Sequence, residues 1–332
     1  MHDSIIVLLK IVSVFLVMLV GWIARRRAYL TKETTRALSR LLVDIVFPAM
    51  VFTAMLKTVN PDVLRDNGFI PLLGAAVIVI ACLVALLVMP FFCQKGKRAT
   101  AVFLVTIPNW IFFPLPIVEE LFGDEGIRAV LLYNVGAMLM MWTLGIWILR
   151  RARHSIESIK GLAMNPGLLA TLAGIILAIL CPAARTLETI QPVHASVGRL
   201  SASAVIQALT MIGSLTIPMS LLITGAHLGG LKLADHRPTR ELTGVILSRL
   251  VLAPVITVMI VLLVERFGIV IPAVPRLTGY LIACMPVAIT SSIITERFGG
   301  DTVLSARAIF YSTLWSIITV PICYYCISRF GL

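Results

Sequence analysis

Asn109 stands between Pro108 and Pro114 in residues 99–118, a stretch that carries no charge and is long enough to cross a bilayer. Asparagine both donates and accepts hydrogen bonds. Each of the prolines around it, Pro108, Pro114 and Pro116, removes a backbone N–H and clashes with the carbonyl four residues back. Residues 106–116 therefore cannot form one continuous helix. At membrane depth, broken helix is tolerated where it is buried in protein or lines a water-filled cavity, and half-helix N-termini in such a place favour a carboxylate. The chemistry that suits this pattern is reversible binding of a small anion, with Asn109 as a ligand; the alternative is that Asn109 only satisfies its own broken backbone.

A second uncharged stretch, residues 277–295, has a central Pro286 followed by Thr290, Ser291 and Ser292. These hydroxyls could serve the same cavity, although serine and threonine in membrane helices also bond the carbonyl one turn back. Asp44, deep in an early apolar run, is a candidate for a proton or cation site, since an intramembrane carboxylate is a functional candidate by default. A salt bridge to Arg40, four residues earlier, is the other reading. Tyr133 and Asn134 are candidates for lining the cavity or for bonding one helix to another. Glu119 and Glu120 read as solvated charges at a helix end, and Arg249 reads as a basic residue near enough to the end of its run to reach outward, with anion binding as its alternative.

The elements that must position these residues are membrane helices. Hydrophobic residues make up 59% of the chain and charged residues 13%, and the mean hydropathy of +1.00 lies far from that of a soluble globular domain. Ten stretches are apolar and about long enough to span: 4–24, 38–57, 69–93, 99–122, 127–149, 163–181, 200–229, 242–264, 277–298 and 304–328. The net charge of +12 comes in short clusters between apolar runs, which is the pattern of membrane topology and not of a nucleic-acid face. Lysine and arginine concentrate after the first, third, fifth, seventh and ninth stretches, so both termini are expected outside. Arg25-Arg26-Arg27 follows the first run with no small-residue cleavage site, so that run is expected as the first spanning helix. The six cysteines sit in or beside apolar runs and read as small core residues, and no metal site is expected of Cys323 and Cys326. There is no GxxxxGK[ST], HExxH or GxSxG motif, so an enzyme is not expected.

The expected spans divide into two sets. Pro48 and Pro218 lie 170 residues apart, as do Pro116 and Pro286. Phe122-Gly123-Asp124 is matched by Phe298-Gly299-Gly300-Asp301, and Tyr133-Asn134 by Tyr311-Ser312. Five helices used twice must enter the membrane from opposite faces, because five is odd, and this is the inverted repeat of secondary transporters with their site at the midplane. The expected organisation is a first five-helix repeat over 1–150, a basic cytoplasmic linker over 151–162 and a second, inverted repeat over 163–332.

The stretch Asn109-Trp110-Ile111-Phe112-Phe113-Pro114-Leu115-Pro116-Ile117, followed by Leu121-Phe122-Gly123-Asp124-Glu125-Gly126, resembles the Asn-x-x-Phe-x-Gly-x-Pro signature and following loop of the auxin efflux carrier family. Residues 42–49 and 217–226 extend the resemblance, which covers essentially the whole chain. Where the family pattern has glycine two residues before the last proline, this chain carries the stiffer Pro114. The resemblance implies an all-α integral membrane carrier of ten helices with the bile-acid-symporter-like architecture. In that architecture helices 4 and 9 are broken and cross, a transport domain moves against a scaffold domain, and alternating access is elevator-like. It implies a small organic anion as substrate, such as malate, malonate or an auxin-like acid, across the cell inner membrane. No cofactor is implied beyond a coupling proton or sodium ion, and the partners are membrane lipid and a second copy joined through scaffold helices. A membrane-embedded ligand sensor or channel on the same scaffold, or a sodium-coupled bile-acid-type symporter, is the alternative.

Overall fold

The computed structural model describes residues 2–150, 164–189, 197–230 and 239–330. Among these residues the chain is helical except for turns and one isolated β-bridge. The expected linker over 151–162 lies outside the described residues.

The first helix, α1 (His2–Arg26), ends at the basic cluster. Next comes α2 (Lys32–Leu41), capped by Thr31, whose hydroxyl accepts from the Thr34 N–H at 3.1 Å. A π-helical turn, Leu42–Val46, joins α2 to α3 (Phe47–Thr58). Pro48 explains the turn: it lacks the N–H that would reach residue 44 and its ring crowds that carbonyl, and a widened turn relieves both. Three helices follow, α4 (Pro61–Asn67), α5 (Ile70–Phe92) and α6 (Lys95–Thr106), then α7 (Pro114–Met140). Inside α7, Gly123 has φ 56° and ψ −141°, a conformation open to glycine, and it ends the short helix that begins at Pro114. A second π-helical turn leads into α8 (Ile146–Arg150).

The second part of the chain contains α9 (Pro166–Leu180), α10 (Val197–Ser214) and α11 (Thr216–Gly230). It continues with α12 (Arg240–Leu247), a third π-helical turn Ser248–Leu252 and α13 (Ala253–Arg266). Pro254 sits just after this turn as Pro48 does after the first, so the same steric cause applies. The chain then forms α14 (Ala273–Ala283), α15 (Thr290–Arg297) and α16 (Thr302–Phe330).

Six helical stretches among the described residues are long and apolar enough to cross a membrane: Lys32–Thr58, Pro61–Phe92, Pro114–Leu149, Val197–Gly230, Arg240–Arg266 and Thr302–Ile327. The two uncharged stretches that begin at residues 99 and 277 are interrupted. Helix α6 stops at Thr106 and helix resumes at Pro114, while α14 stops at Ala283 and helix resumes at Thr290. Pro114 takes the first helical position, where a missing N–H costs nothing.

The helices sort into two groups by their contacts. One holds α1, α2, α3, α9, α10 and α11; the other holds α5, α6, α7 and α12 to α16. In hydrocarbon, close packing replaces the hydrophobic effect as the force between helices. Accordingly α1 and α11 approach so closely that a Cβ at Gly21 would overlap the Leu222 carbonyl, and one at Gly225 the Met18 carbonyl. Outside, large apolar side chains such as Leu72, Leu87, Phe91, Trp315 and Ile318 are exposed, as a lipid-facing surface requires.

Candidate functional site

Residues 107–109 and 286–288, the two helix interruptions, lie against each other. Pro108 and Val287 form an antiparallel bridge in which the Asn109 N–H donates to the Pro286 carbonyl at 2.8 Å and the Ala288 N–H donates to the Ile107 carbonyl at 3.2 Å. These groups lie between helix ends and have no helical partners, and an unsatisfied backbone group in hydrocarbon costs several kcal/mol, so each interruption satisfies the other. Two more bonds fasten the pair to neighbouring helices. The Val287 N–H donates to Ser312 Oγ of α16 at 3.1 Å, and the Trp110 indole N–H donates to Asn134 Oδ1 of α7 at 3.1 Å.

Arg249 binds the crossing from a third side. It sits in the π-helical turn before Pro254, and its side chain is fully buried instead of reaching outward. Its guanidinium donates through Nη1 to the Val105 carbonyl at 2.8 Å and through Nη2 to the Ala283 carbonyl. Val105 and Ala283 lie in the last turns of α6 and α14, where carbonyls lack helical partners and carry the negative end of the helix dipole. No carboxylate pairs with Arg249 among the described residues.

Asn109 is buried, with 6% of its surface exposed, and its carboxamide makes no side-chain hydrogen bond among the described residues. Its backbone N–H is satisfied by the Pro286 carbonyl, so the side-chain amide is not used for that purpose. Among the buried polar atoms with no partner among the described residues are Asn134 Nδ2, Ser291 Oγ and Arg249 Nε, together with Arg276 Nε, Thr278 Oγ1 and Tyr280 OH of α14. A buried polar group without a partner is costly, and a site for a polar ligand is one explanation for several together.

The remaining expected residues fall in different places. Pro108 and Pro286 form the crossing, whereas Pro114 and the half-buried Pro116 lie in the first turn of α7. The 170-residue shift aligns Pro116 with Pro286 as corresponding positions of the two expected repeats; in space, Pro286 meets Asn109, next to the Pro108–Val287 bridge. Thr290 is half-buried at the start of α15, and Ser292 donates to the Ile289 carbonyl three residues back at 2.9 Å. Tyr133 spends its hydroxyl on the Pro275 carbonyl of α14 at 3.0 Å, a bond between helices. Asp44 is exposed on the first π-helical turn, in the other helix group.

The crossing lies where the two groups of helices meet. After Asn109, Phe112 packs edge-on against Phe47 of α3 with ring centroids 5.5 Å apart, and Phe113 packs likewise against Phe15 of α1 at 5.5 Å. Binding sites favour such boundaries between packed groups of elements. A cavity of about 310 Å³, lined by Lys97, Glu241, Asp301 and Arg307 among others, opens instead at the start of α6 and of α16.

Comparison with known proteins places these features in a wider setting. The family model described as membrane transport protein matches residues 6–160 and again 151–324. An uncharacterized transporter of Methanothermobacter thermautotrophicus is 22% identical over 314 residues, covering 94% of this chain and 95% of the relative. An uncharacterized transporter of Methanocaldococcus jannaschii is 22% identical over 322 residues, covering 94% and 96%.

Proposed function

Because the chain belongs to the membrane transport protein family, that of the auxin efflux carriers, we propose that it is a secondary transporter that carries a small organic anion at the crossing of its two broken helices. Supporting this reading above all is the Asn109 carboxamide, buried at the crossing and free of any side-chain bond among the described residues. Its neighbours add to it: the helix starts at Pro114 and Thr290 have no side-chain cap, and their positive ends suit a carboxylate.

The architecture in this reading is ten spans. Helices α1 and α9 and the two broken pairs, α6 with the start of α7 and α14 with α15, join the longer stretches. The group containing α1, α3, α9 and α11 is the scaffold, and the group containing the crossing is the transport domain. The scaffold also provides the surface for a homodimer. The two fives are inverted repeats, both termini face outward from the inner membrane, and elevator-like movement of the crossing past α1 and α3 exchanges its access. Candidate cargoes are malate, malonate and auxin-like acids, with a proton or sodium ion as coupling ion.

Uptake into proteoliposomes tests the proposal. Saturable accumulation of at least one of malate, malonate and indole-3-acetate is expected under an imposed proton or sodium gradient. Binding of these acids without flux would favour a sensor, and neither binding nor flux would overturn the reading.

A further inference from the structure

Arg249 is the largest fully buried side chain in the protein's described core, and it has no anionic side chain beside it. A guanidinium in that position is costly unless its charge is met. What meets it is backbone: the Val105 carbonyl ending one broken helix and the Ala283 carbonyl ending the other. A helix C-terminus carries roughly half a negative charge, so two such ends together balance one guanidinium. The two helix starts of the crossing, at Pro114 and Thr290, have no comparable partner in a side-chain cap.

We infer that Arg249 is the positioning residue of the crossing: its one guanidinium fastens the last turns of both broken helices and cancels their negative ends, so that what remains facing a ligand is positive. Two features of the local chain bring this about. Pro254 imposes the widened turn over Ser248–Leu252, and that turn places Arg249 among buried neighbours. The planar fork of arginine then reaches two carbonyls from different helices at once, a geometry that the single ammonium of lysine reproduces less well. The fastening is independent of any cargo, whereas the selection of an anion rests on the transport reading above.

Hydrogen–deuterium exchange on the purified full-length protein, compared among wild type, Arg249→Lys and Arg249→Gln, tests the fastening. Loss of a charge-assisted bond at each end should speed exchange of amides in residues 105–113 and 284–289 together, by about tenfold or more in the Gln variant. The Lys variant should restore part of the protection. Unchanged exchange in the Gln variant, or faster exchange in only one of the two segments, overturns the inference. The electrostatic part is read by the thermal shift with indole-3-acetate against its neutral amide. Wild type and the Lys variant should be stabilised by the acid alone and the Gln variant by neither; an acid response retained in the Gln variant overturns this part. A wild type that moves none of the three acids counts against the transport reading, and the exchange result still decides the role of Arg249.

Discussion

The backbone N–H of Asn109 donates to the carbonyl of Pro286 at 2.8 Å, joining residues far apart in the chain at the point where two helices are interrupted. That bond satisfies the freed backbone N–H of Asn109 without drawing on its side chain. It also makes the crossing a single unit, since the reciprocal bond from Ala288 to Ile107 closes the pair.

Tyr133→Phe separates a structural hydroxyl from a binding one. The hydroxyl bonds the Pro275 carbonyl in a buried setting, and its loss should lower stability by about 1 kcal/mol. The concentration dependence of uptake should not change. A raised half-saturation concentration with unaltered melting would instead put Tyr133 in contact with cargo.

Gly225→Val should weaken the joint between α1 and α11. A side chain there meets the Met18 carbonyl, which is backbone and cannot swing away, so a cost of about 1–3 kcal/mol or more is expected. Gly198→Ala is the control, because its added Cβ meets nothing within 4 Å. Thermal melting of the two variants should differ, with only the first lowered.

Asp44→Asn tests the candidate coupling site. Because Asp44 is exposed and lies in the helix group away from the crossing, its replacement should leave stability within about 0.5 kcal/mol of wild type and leave uptake intact. Uptake that loses its dependence on the proton gradient would make Asp44 the carrier of the coupling ion.

Much of the crossing can be read from residue types. Proline chemistry marks both interruptions, and Gly123 and Gly299 mark the turns beyond them, each with positive φ. The register between the interruptions is another matter. A shift of 170 residues aligns Pro116 with Pro286 as corresponding repeat positions but carries no statement of contact: Pro116 fits into the first turn of α7, where proline is tolerated, and Pro286 meets Asn109. Which backbone groups pair depends on how two helices approach in space, and sequence spacing does not encode that. Arg249 is hidden for a related reason. A charge near the end of an apolar run suggests an outward side chain, and only the widened turn ahead of Pro254 brings it inward to two helix ends. The partner of Tyr133 is hidden too, because the bond is to a backbone carbonyl and leaves no mark in side-chain type.

The central claim is that Asn109 binds cargo at the crossing, and uptake by wild type and Asn109→Ala in parallel proteoliposomes tests it most directly. With no side-chain bond among the described residues to lose, the variant should melt within about 1 kcal/mol of wild type. Its uptake of whichever of malate, malonate and indole-3-acetate the wild type carries should fall by about tenfold or more, as the loss of a buried polar ligand predicts. Equal uptake by the two proteins would contradict the account.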